Sequence, residues 1–153
     1  MGRTATSASI RDAREDDLPA LLHLYAQLNE TPALLTEQHQ DAFAAIQADP
    51  RQRLLVVELG GAVIANAALI VVPNLGRGGR PWAIIENVVV DEPARGGRVG
   101  EALMRYMIEE ARAAGCYKVT LMSRKWRADA HRFYTRLGFE ATSEGFRYTL
   151  APD

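Results

Sequence analysis

Glycines and arginines are concentrated at one junction of the sequence, the segment Ala-Arg-Gly-Gly-Arg-Val-Gly at 94–100. The segment follows an apolar run at 82–90 and precedes a stretch at 101–115 whose apolar residues recur at helical spacing. A helix that begins after a glycine-rich turn directs unpaired backbone N–H groups and the positive end of its dipole at that turn. Arg95 and Arg98 add cationic donors that suit phosphate oxygens. The junction therefore predicts a binding site for a phosphate or pyrophosphate.

Two common phosphate-binding patterns do not account for this junction. The pattern Gly-x-x-x-x-Gly-Lys-Ser/Thr does not occur in the sequence, and the order Gly-Gly-Arg-Val-Gly at 96–100 departs from Gly-x-Gly-x-x-Gly. The sequence therefore disfavours an ATPase and a dinucleotide-binding protein.

Alternating apolar patterns predict the elements that hold the junction in place. Apolar residues with a period of two indicate strands, and apolar residues at spacings of three and four indicate helices. The predicted order is strand, two helices, three strands, helix, strand, helix and a terminal pair of strands that is broken near Gly145. The segments are 9–17, 16–29, 31–50, 53–59, 62–73, 82–92, 99–115, 116–123, 128–138 and 139–150.

Local signals fix several of these boundaries. Asp16 or Asp17 is expected to cap the first helix and Thr36 the second, because their side chains accept from free N–H groups. The pair Gly60-Gly61 predicts a tight hairpin, since glycine tolerates a positive φ. The helix after the junction is expected to bury one stripe and to end at Gly115. That stripe consists of Val99, Leu103, Tyr106, Met107 and Ala111.

This order of elements predicts an α/β (α+β) fold with a mixed, mostly antiparallel sheet. The fourth strand is apolar on both faces, which favours a position inside the sheet rather than at its edge. The fourth strand, the helix after it and the fifth strand are expected to form a right-handed crossover with parallel strands.

Composition narrows the class of protein. A chain of 153 residues has the length of one domain, and we expect 1–153 to form a single domain with 1–8 frayed. A net charge of -1 gives no argument for a nucleic-acid partner, and no apolar run approaches membrane-spanning length. The only cysteine is Cys116, so no internal disulfide is possible and we expect a cytoplasmic protein.

The segment around the junction resembles a known family. Val-Val-Val-Asp-Glu-Pro-Ala-Arg-Gly-Gly-Arg-Val-Gly-Glu-Ala-Leu is similar to the acyl-coenzyme A signature of the GCN5-related N-acetyltransferases (GNAT), [Q/R]-x-x-G-x-[G/A] between a strand and a helix. Five residues stand where that pattern expects them: Arg95, Gly96, Gly97, Val99 and Gly100. Arg98 stands where the family usually has glycine, and its backbone must adopt a negative φ to avoid strain.

A second, separate segment carries the same resemblance. Asp-Ala-His-Arg-Phe-Tyr-Thr-Arg-Leu-Gly-Phe-Glu at 129–140 is similar to the family's N-x-x-A-x-x-F-Y-x-x-x-G-F element. Ala130, Phe133, Tyr134, Gly138 and Phe139 are in register, whereas Arg127 replaces the usual asparagine. The resemblance implies a GNAT-type fold of six or seven strands flanked by about four helices.

A narrower likeness concerns Ile-Glu-Asn-Val-Val-Val-Asp at 85–91 and Gly-Cys-Tyr-Lys at 115–118. Both are similar to glucosamine-6-phosphate N-acetyltransferases, which have aspartate at the position of Asn87. The resemblance implies a small-molecule amine as acceptor, with a sugar phosphate as one candidate. Glu86 and Asn87 are the predicted acceptor contacts.

The resemblance also implies how the reaction runs. Acetyl-CoA is the predicted co-substrate, without a metal, and it lies where the fourth and fifth strands separate. Glu86 is expected to take the proton of the attacking amine, and Tyr134 to donate a proton to the leaving thiolate. The predicted cofactor contacts are Val88, Val89, Val90, Arg95, Gly96, Gly97, Arg98, Val99, Gly100, Arg127, His131 and Tyr134.

Alternatives stay open at this point. Glu86 can instead form a structural ion pair with an arginine, Tyr134 can be a core aromatic residue, and His131 can be a surface residue or a rival base. At the level of function, the rivals are a peptide or protein N-acetyltransferase and a non-catalytic acyl-CoA sensor. The family resemblance also implies a homodimer, in contact through an edge strand near the C-terminus.

Overall fold

One five-stranded sheet carries most of the strand structure in residues 7–151, the part of the chain that the computed structural model describes. Three of its four pairings are antiparallel, and the last pairing is parallel. They confirm the first five predicted strands and the parallel pairing of the fourth strand with the fifth. In spatial order they are β1 (Ser9–Asp12), β2 (Gln52–Leu59), β3 (Ala62–Val72), β4 (Trp82–Val90) and β5 (Val119–Leu121).

Five helical segments accompany the sheet in the described residues. All four predicted helices are present, and the fifth segment, α3, is a single turn in which Arg77 and Gly78 have left-handed φ values of 54° and 71°. Short 3-10 turns precede α1 and follow β4. The helices are α1 (Leu18–Asn29), α2 (Glu37–Ala48), α3 (Gly76–Gly79), α4 (Val99–Ala113) and α5 (Ala128–Arg136).

The chain divides into two compact units, Met1–Leu121 and Met122–Asp153. The first unit contains the sheet with α1 to α4, and the second contains α5, after which residues 137–151 form neither helix nor strand. That 1–153 forms one domain stays a prediction. Of the segment expected to fray, 1–6 lies outside the described residues, and residues 7 and 8 are exposed and irregular.

The prediction of a terminal pair of strands is wrong. Residues 139–149 form neither strand nor helix, so the described sheet has five strands rather than six or seven. The pattern was misleading because Phe146, Tyr148 and Leu150 alternate as in a strand, yet all three side chains are almost fully exposed. A two-stranded hairpin without an apolar surface to cover is marginal in water, so alternation alone does not produce one.

Helices cover the two faces of the sheet. Leu54 and Val56 of β2 pack with Leu18, Leu21 and Phe43 on the face covered by α1 and α2. Side chains alternate along a strand, so Leu55 of β2 and Ile85 of β4 point to the opposite face, where α4 packs against β3 and β4. The two faces together bury the core of the first unit.

The predicted stripe of α4 is confirmed in its centre. Leu103, Met107 and Ala111 are fully buried, whereas Val99 and Tyr106 are half-buried at its margins. Met104 is also fully buried, which widens the stripe beyond the predicted set. None of the helices in residues 7–151 is long and apolar enough to cross a membrane.

Turn and cap signals are confirmed except at α1. Gly60 and Gly61 join β2 to β3 with φ values of 59° and 81°, and the Thr36 hydroxyl accepts from the His39 N–H at 3.4 Å. Asp17 does not cap α1 with its side chain. Its carboxylate accepts instead from the Arg14 N–H at 2.7 Å and from two nitrogens of Arg11 at 2.7 and 3.0 Å.

Replacing Asp17 by asparagine is expected to lower the free energy of unfolding by about 2 kcal/mol at pH 7, because charge-assisted bonds to a buried carboxylate are lost. The bonds from Arg11 and Arg14 hold the pKa of Asp17 below its ordinary value of 3.8. A group whose pKa is lowered by folding stabilises above the unfolded-state pKa and loses that contribution as pH falls through the folded-state pKa.

Urea unfolding at pH 7 and at pH 3 measures this effect. The difference between the wild-type chain and Asp17→Asn is expected to shrink at the lower pH. Asp16→Asn is the matched control, because the Asp16 side chain is 82% exposed and lies 3.9 Å from Arg14. Equal effects of the two substitutions would contradict a specific role of Asp17.

Candidate active site

A β-bulge interrupts β4 at Asn87. Glu86 pairs with Ala68 of β3, and Val89 pairs with Asn66, so one residue of β3 faces two residues of β4. Asn87 has a φ of 54°, a left-handed conformation that asparagine tolerates better than most residues. The bulge lies in the strand segment for which the sequence predicts acceptor and acetyl-CoA contacts.

The pairing of β4 with β5 stops shortly before this bulge. The two strands pair only from Ala83 to Ile85, opposite Val119–Leu121. Within the first unit, residues 86–90 of β4 therefore have a strand partner on the β3 side alone. An extended ligand with amide groups can form backbone hydrogen bonds to such an unpaired edge. This fits the predicted contacts at Val88 to Val90, which stay a prediction.

The glycine-rich turn connects β4 to α4 as the sequence predicts. Gly96 has a φ of 82°, which a side chain would strain, while no atom would crowd an added Cβ there. Arg98 has a φ of -97°, so the expected negative φ at this non-glycine position is confirmed. The N-cap residue Arg98 makes no capping hydrogen bond, and no other side chain in the described part of the chain caps α4. Its first N–H groups are therefore open to an anion.

The two arginines of the turn differ in what they contact. Arg95 donates from Nε to the Val90 carbonyl at 2.9 Å and from Nη2 to Gln27 Oε1 at 3.1 Å. Arg98 is exposed and makes no side-chain hydrogen bond or ion pair with another described residue. Arg98 is therefore the more available cation for a phosphate, and the side chain of Arg95 is largely engaged within the protein.

Glu86 lies half-buried on β4, one residue before the bulge. It is on the same face of the sheet as Trp82 and Ile84, because side chains alternate along the strand. Its carboxylate forms no ion pair or hydrogen bond with the described residues, so the structural ion pair considered above is not observed. A half-buried carboxylate without a partner is available to contact a substrate.

A cluster of cations on aromatic rings lies at the start of β4 and β5. The guanidinium groups of Arg77 and Arg80 lie 5.7 and 5.8 Å from the ring centre of Tyr117. The ammonium group of Lys118 lies 5.4 Å from the same ring and 5.3 Å from that of Trp82. No ion pair within residues 7–151 includes any of the three cations. We call these five residues the cationic cluster.

The second unit contains Tyr134, the predicted proton donor. Its ring packs against Phe133 at 5.3 Å and Phe139 at 5.9 Å between ring centres. Burial raises the pKa of Tyr134, and the charge of Arg127 opposes this in part. The phenol therefore remains protonated at neutral pH, as a proton donor must.

Arg127 and His131 lie at the start of α5. Arg127 is the exposed N-cap residue, and its side chain makes no capping hydrogen bond. His131 is exposed, and its Nε2 lies 3.0 Å from the Arg124 carbonyl, to which the Nε2–H donates. With Nε2 protonated and engaged, Nδ1 is the ring atom that can take a proton. Contacts of both residues with acetyl-CoA stay predictions.

Two polar residues near the first-unit site were not predicted from the sequence. Asn66 is fully buried beside Val89, donates to the Leu55 carbonyl at 2.8 Å, and has an Oδ1 atom without a partner in the described residues. Gln27 bonds to the segment that follows β4. Asn66 is a lone amide in an apolar stretch, and that signal was present in the sequence, whereas Gln27 lies near Asn29 and gave no comparable signal.

The fold is of the α/β type, with a glycine-rich turn between a parallel-paired strand and a helix. Comparison with known proteins identifies the family. The chain belongs to the acetyltransferase (GNAT) family, whose model matches residues 9–139. It is an N-acetyltransferase, since relatives with named activities match nearly its full length. Both family resemblances predicted from the sequence are thereby confirmed.

Three relatives illustrate the similarity. The chain is 35% identical to glucosamine 6-phosphate N-acetyltransferase of Trypanosoma brucei brucei, over 92% of this chain and 95% of that one. It is 32% identical to aminoalkylphosphonate N-acetyltransferase of Salmonella typhimurium, over 93% and 90%. A solved putative acetyltransferase from Agrobacterium tumefaciens superposes with a TM-score of 0.88 at 42% identity, over 92% of this chain and 99% of that chain.

Members of this family use acetyl-CoA as co-substrate. The residues described above fit that molecule: the unpaired edge of β4 suits the pantetheine amides, and the uncapped start of α4 suits the pyrophosphate. No group of three or more His, Cys, Asp or Glu side chains in residues 7–151 is arranged to hold a metal ion.

Proposed function

We propose that this N-acetyltransferase moves the acetyl group of acetyl-CoA to the primary amine of a small molecule, by direct attack in a ternary complex. One observation carries the proposal. The unpaired edge of β4 at 86–90 leads directly into the glycine turn and the uncapped start of α4. Backbone donors for an extended, amide-containing chain and for a pyrophosphate thus follow each other along the sequence.

The residues have distinct roles in this reaction. Val88 to Val90 pair with the pantetheine, and the turn Arg95–Gly100 binds the pyrophosphate, with Arg98 as its free cation. Arg127 and His131 add contacts to acetyl-CoA.

The chemical step needs two proton transfers. The amine nitrogen bonds to the acetyl carbon and gives a proton to Glu86, the carbon–sulfur bond breaks, and the thiolate takes a proton from Tyr134. Backbone N–H groups of β4 stabilise the negative charge that develops on the carbonyl oxygen.

We further propose that the acceptor amine carries a phosphate or phosphonate group. Two of the relatives described above are named for such amines, a sugar phosphate and an aminoalkylphosphonate. The cationic cluster supplies three cations that have no carboxylate partner within residues 7–151, and its Trp82 shares a face of β4 with Glu86. The carboxylate of Glu86, aided by Asn87, suits the ammonium end of such a molecule, and the cluster suits its anionic end.

Calorimetric titration with acetyl-CoA, followed by a thiol-release assay, tests this function. Glucosamine 6-phosphate, glucosamine, aminoalkylphosphonates, polyamines, amino acids and a peptide with a free amine form the acceptor panel. We expect binding of acetyl-CoA and turnover with a phosphorylated or phosphonylated amine. Its kcat/KM is expected to be at least about tenfold above that of the same amine without the anionic group.

Other outcomes discriminate among the alternatives. Preference for the peptide would favour a protein N-acetyltransferase, and preference for glucosamine over its phosphate would contradict the anionic acceptor. Binding without turnover on the whole panel would favour a sensor. No binding of acetyl-CoA would contradict the proposed co-substrate site.

We also propose that the protein is a homodimer in the cytoplasm. Phe146, Tyr148 and Leu150 are 94%, 87% and 93% exposed in a single chain and alternate as in a strand. Pairing with a second copy would cover apolar side chains that are otherwise in contact with water. Sedimentation at micromolar concentration is expected to give the mass of two chains, and a single chain at about 100 μM would contradict this.

A further inference from the structure

Four groups meet at the side chain of Gln27, in the last turns of α1. Its Nε2 donates to Asp91 Oδ1 at 2.7 Å and lies 3.1 Å from His23 Nε2. Its Oε1 accepts from the Glu92 N–H at 3.0 Å and from Arg95 Nη2 at 3.1 Å. A primary amide has two N–H donors and two acceptor positions, so all four are used here.

These contacts join α1 to the segment between β4 and the glycine turn. Three of the four partners lie in 91–95, and Arg95 is also the first residue of the proposed pyrophosphate-binding turn. The same guanidinium bonds back to the Val90 carbonyl at 2.9 Å, at the end of β4. The backbone on both sides of Asp91 is therefore bonded by side chains, the Val90 carbonyl by Arg95 and the Glu92 N–H by Gln27. Gln27 also bonds to the side chains of Asp91 and Arg95.

We propose that Gln27 is a positioning residue for acetyl-CoA binding. It fixes the segment 91–95 in one conformation, so that the turn at 95–100 directs its N–H groups at a common point before the ligand arrives. Without this contact the turn must be ordered when the ligand binds, and affinity falls because that ordering costs free energy. The inference rests on the proposed acetyl-CoA site.

An exchange of the amide of Gln27 with the carboxylate of Asp91 tests the proposal. Gln27→Glu keeps the size and both acceptor positions but places a carboxylate against that of Asp91 at 2.7 Å. Gln27→Glu combined with Asp91→Asn exchanges the two partners and restores one amide–carboxylate hydrogen bond. Asp91→Asn alone is the matched control, because the amide of Gln27 can still donate to the asparagine oxygen.

Hydrogen exchange, acetyl-CoA affinity, turnover and thermal unfolding are measured on each variant. Amide hydrogen exchange in the absence of ligand reports whether the Glu92 N–H is still protected, and calorimetry gives the Kd of acetyl-CoA. We expect faster exchange at 92–96 and about tenfold weaker binding for Gln27→Glu, with kcat at saturating acetyl-CoA within about twofold. The Kd of the combined variant and the Kd of Asp91→Asn are each expected to lie within about threefold of the wild-type value.

The outcomes separate this inference from the proposed function. If wild-type protein does not bind acetyl-CoA, the proposed site fails. If the wild type binds and Gln27→Glu exchanges faster at 92–96 with an unchanged Kd, Gln27 is only structural and the inference is overturned. The inference would also be overturned if the combined variant melted at the wild-type temperature but still bound acetyl-CoA about tenfold more weakly than the wild type. Restoration of both exchange and affinity supports it.

Discussion

Glu86→Gln is expected to lower kcat about a hundredfold at neutral pH while changing the Kd of acetyl-CoA by less than about twofold. Glutamine has the same shape but cannot take the proton that the amine must lose before or during attack. Glu86 has no ion-pair partner among the described residues, so the substitution breaks no salt bridge. The loss is therefore expected in the chemical step and not in folding. Steady-state kinetics with a saturating acceptor, together with calorimetry, measures both quantities.

A matched control distinguishes loss of the base from loss of stability. If Glu86 is the base, Glu86→Gln lowers kcat and leaves the free energy of unfolding unchanged. Glu58→Gln is the control, because Glu58 is another half-buried strand carboxylate but accepts from Arg11 at 2.6 Å. It is expected to reduce stability and to leave kcat unchanged. Full turnover by Glu86→Gln would exclude Glu86 as the base and direct attention to His131 or water.

Short-range signals explain why so much of the fold was predictable. The hairpin at Gly60-Gly61, the cap at Thr36 and the buried centre of α4 each depend on residues within a few positions of one another. Conformational preference and hydrophobic period act over that range, so a single sequence contains the necessary information. The order of the first five strands and four helices followed from these local patterns.

Features that depend on distant contacts were missed. The bulge at Asn87 arises where the register between β3 and β4 shifts by one residue. The segment after β4 is bonded to Gln27, which is 64 residues from Asp91 in the sequence. The prediction of terminal strands was wrong for the same reason, because the alternation of apolar residues near Phe146 is compatible with a strand but does not supply a partner for it. A strand also needs a partner strand, and 139–149 pairs with no strand of the described residues.

The residues of the candidate site stay predictions, but the structure shows contacts of the two arginines that the sequence does not reveal. Both arginines of the turn were expected to bind phosphate. In the structure Arg95 bonds to Val90 and Gln27, whereas Arg98 bonds to none of the side chains or carbonyls of residues 7–151. Charge and spacing identify residues that suit an anion, but they do not reveal which of them the protein uses for its own hydrogen bonds. That distinction required the position of α1 relative to β4 within the first unit.

Tyr134→Phe is expected to lower kcat about tenfold to a hundredfold while acetyl-CoA still binds, because the thiolate then leaves without a proton donor. Burial raises the pKa of Tyr134, so the hydroxyl stays protonated at neutral pH. Its ring contacts with Phe133 and Phe139 do not need the hydroxyl, so stability is expected to change little. Tyr106→Phe, which removes a half-buried hydroxyl from α4, is the control and is expected to keep full turnover.

The double variant Glu86→Gln/Tyr134→Phe separates a joint mechanism from two unrelated defects. Glu86 acts on the amine as the tetrahedral intermediate forms, and Tyr134 acts on sulfur as it collapses, so both serve one reaction in sequence. Once either step limits the rate, slowing the other costs less, and the combined loss is expected to be smaller than the product of the single losses. Unchanged turnover in Tyr134→Phe would instead make Tyr134 a packing residue of the second unit. The thiolate would then take its proton from water or from another residue.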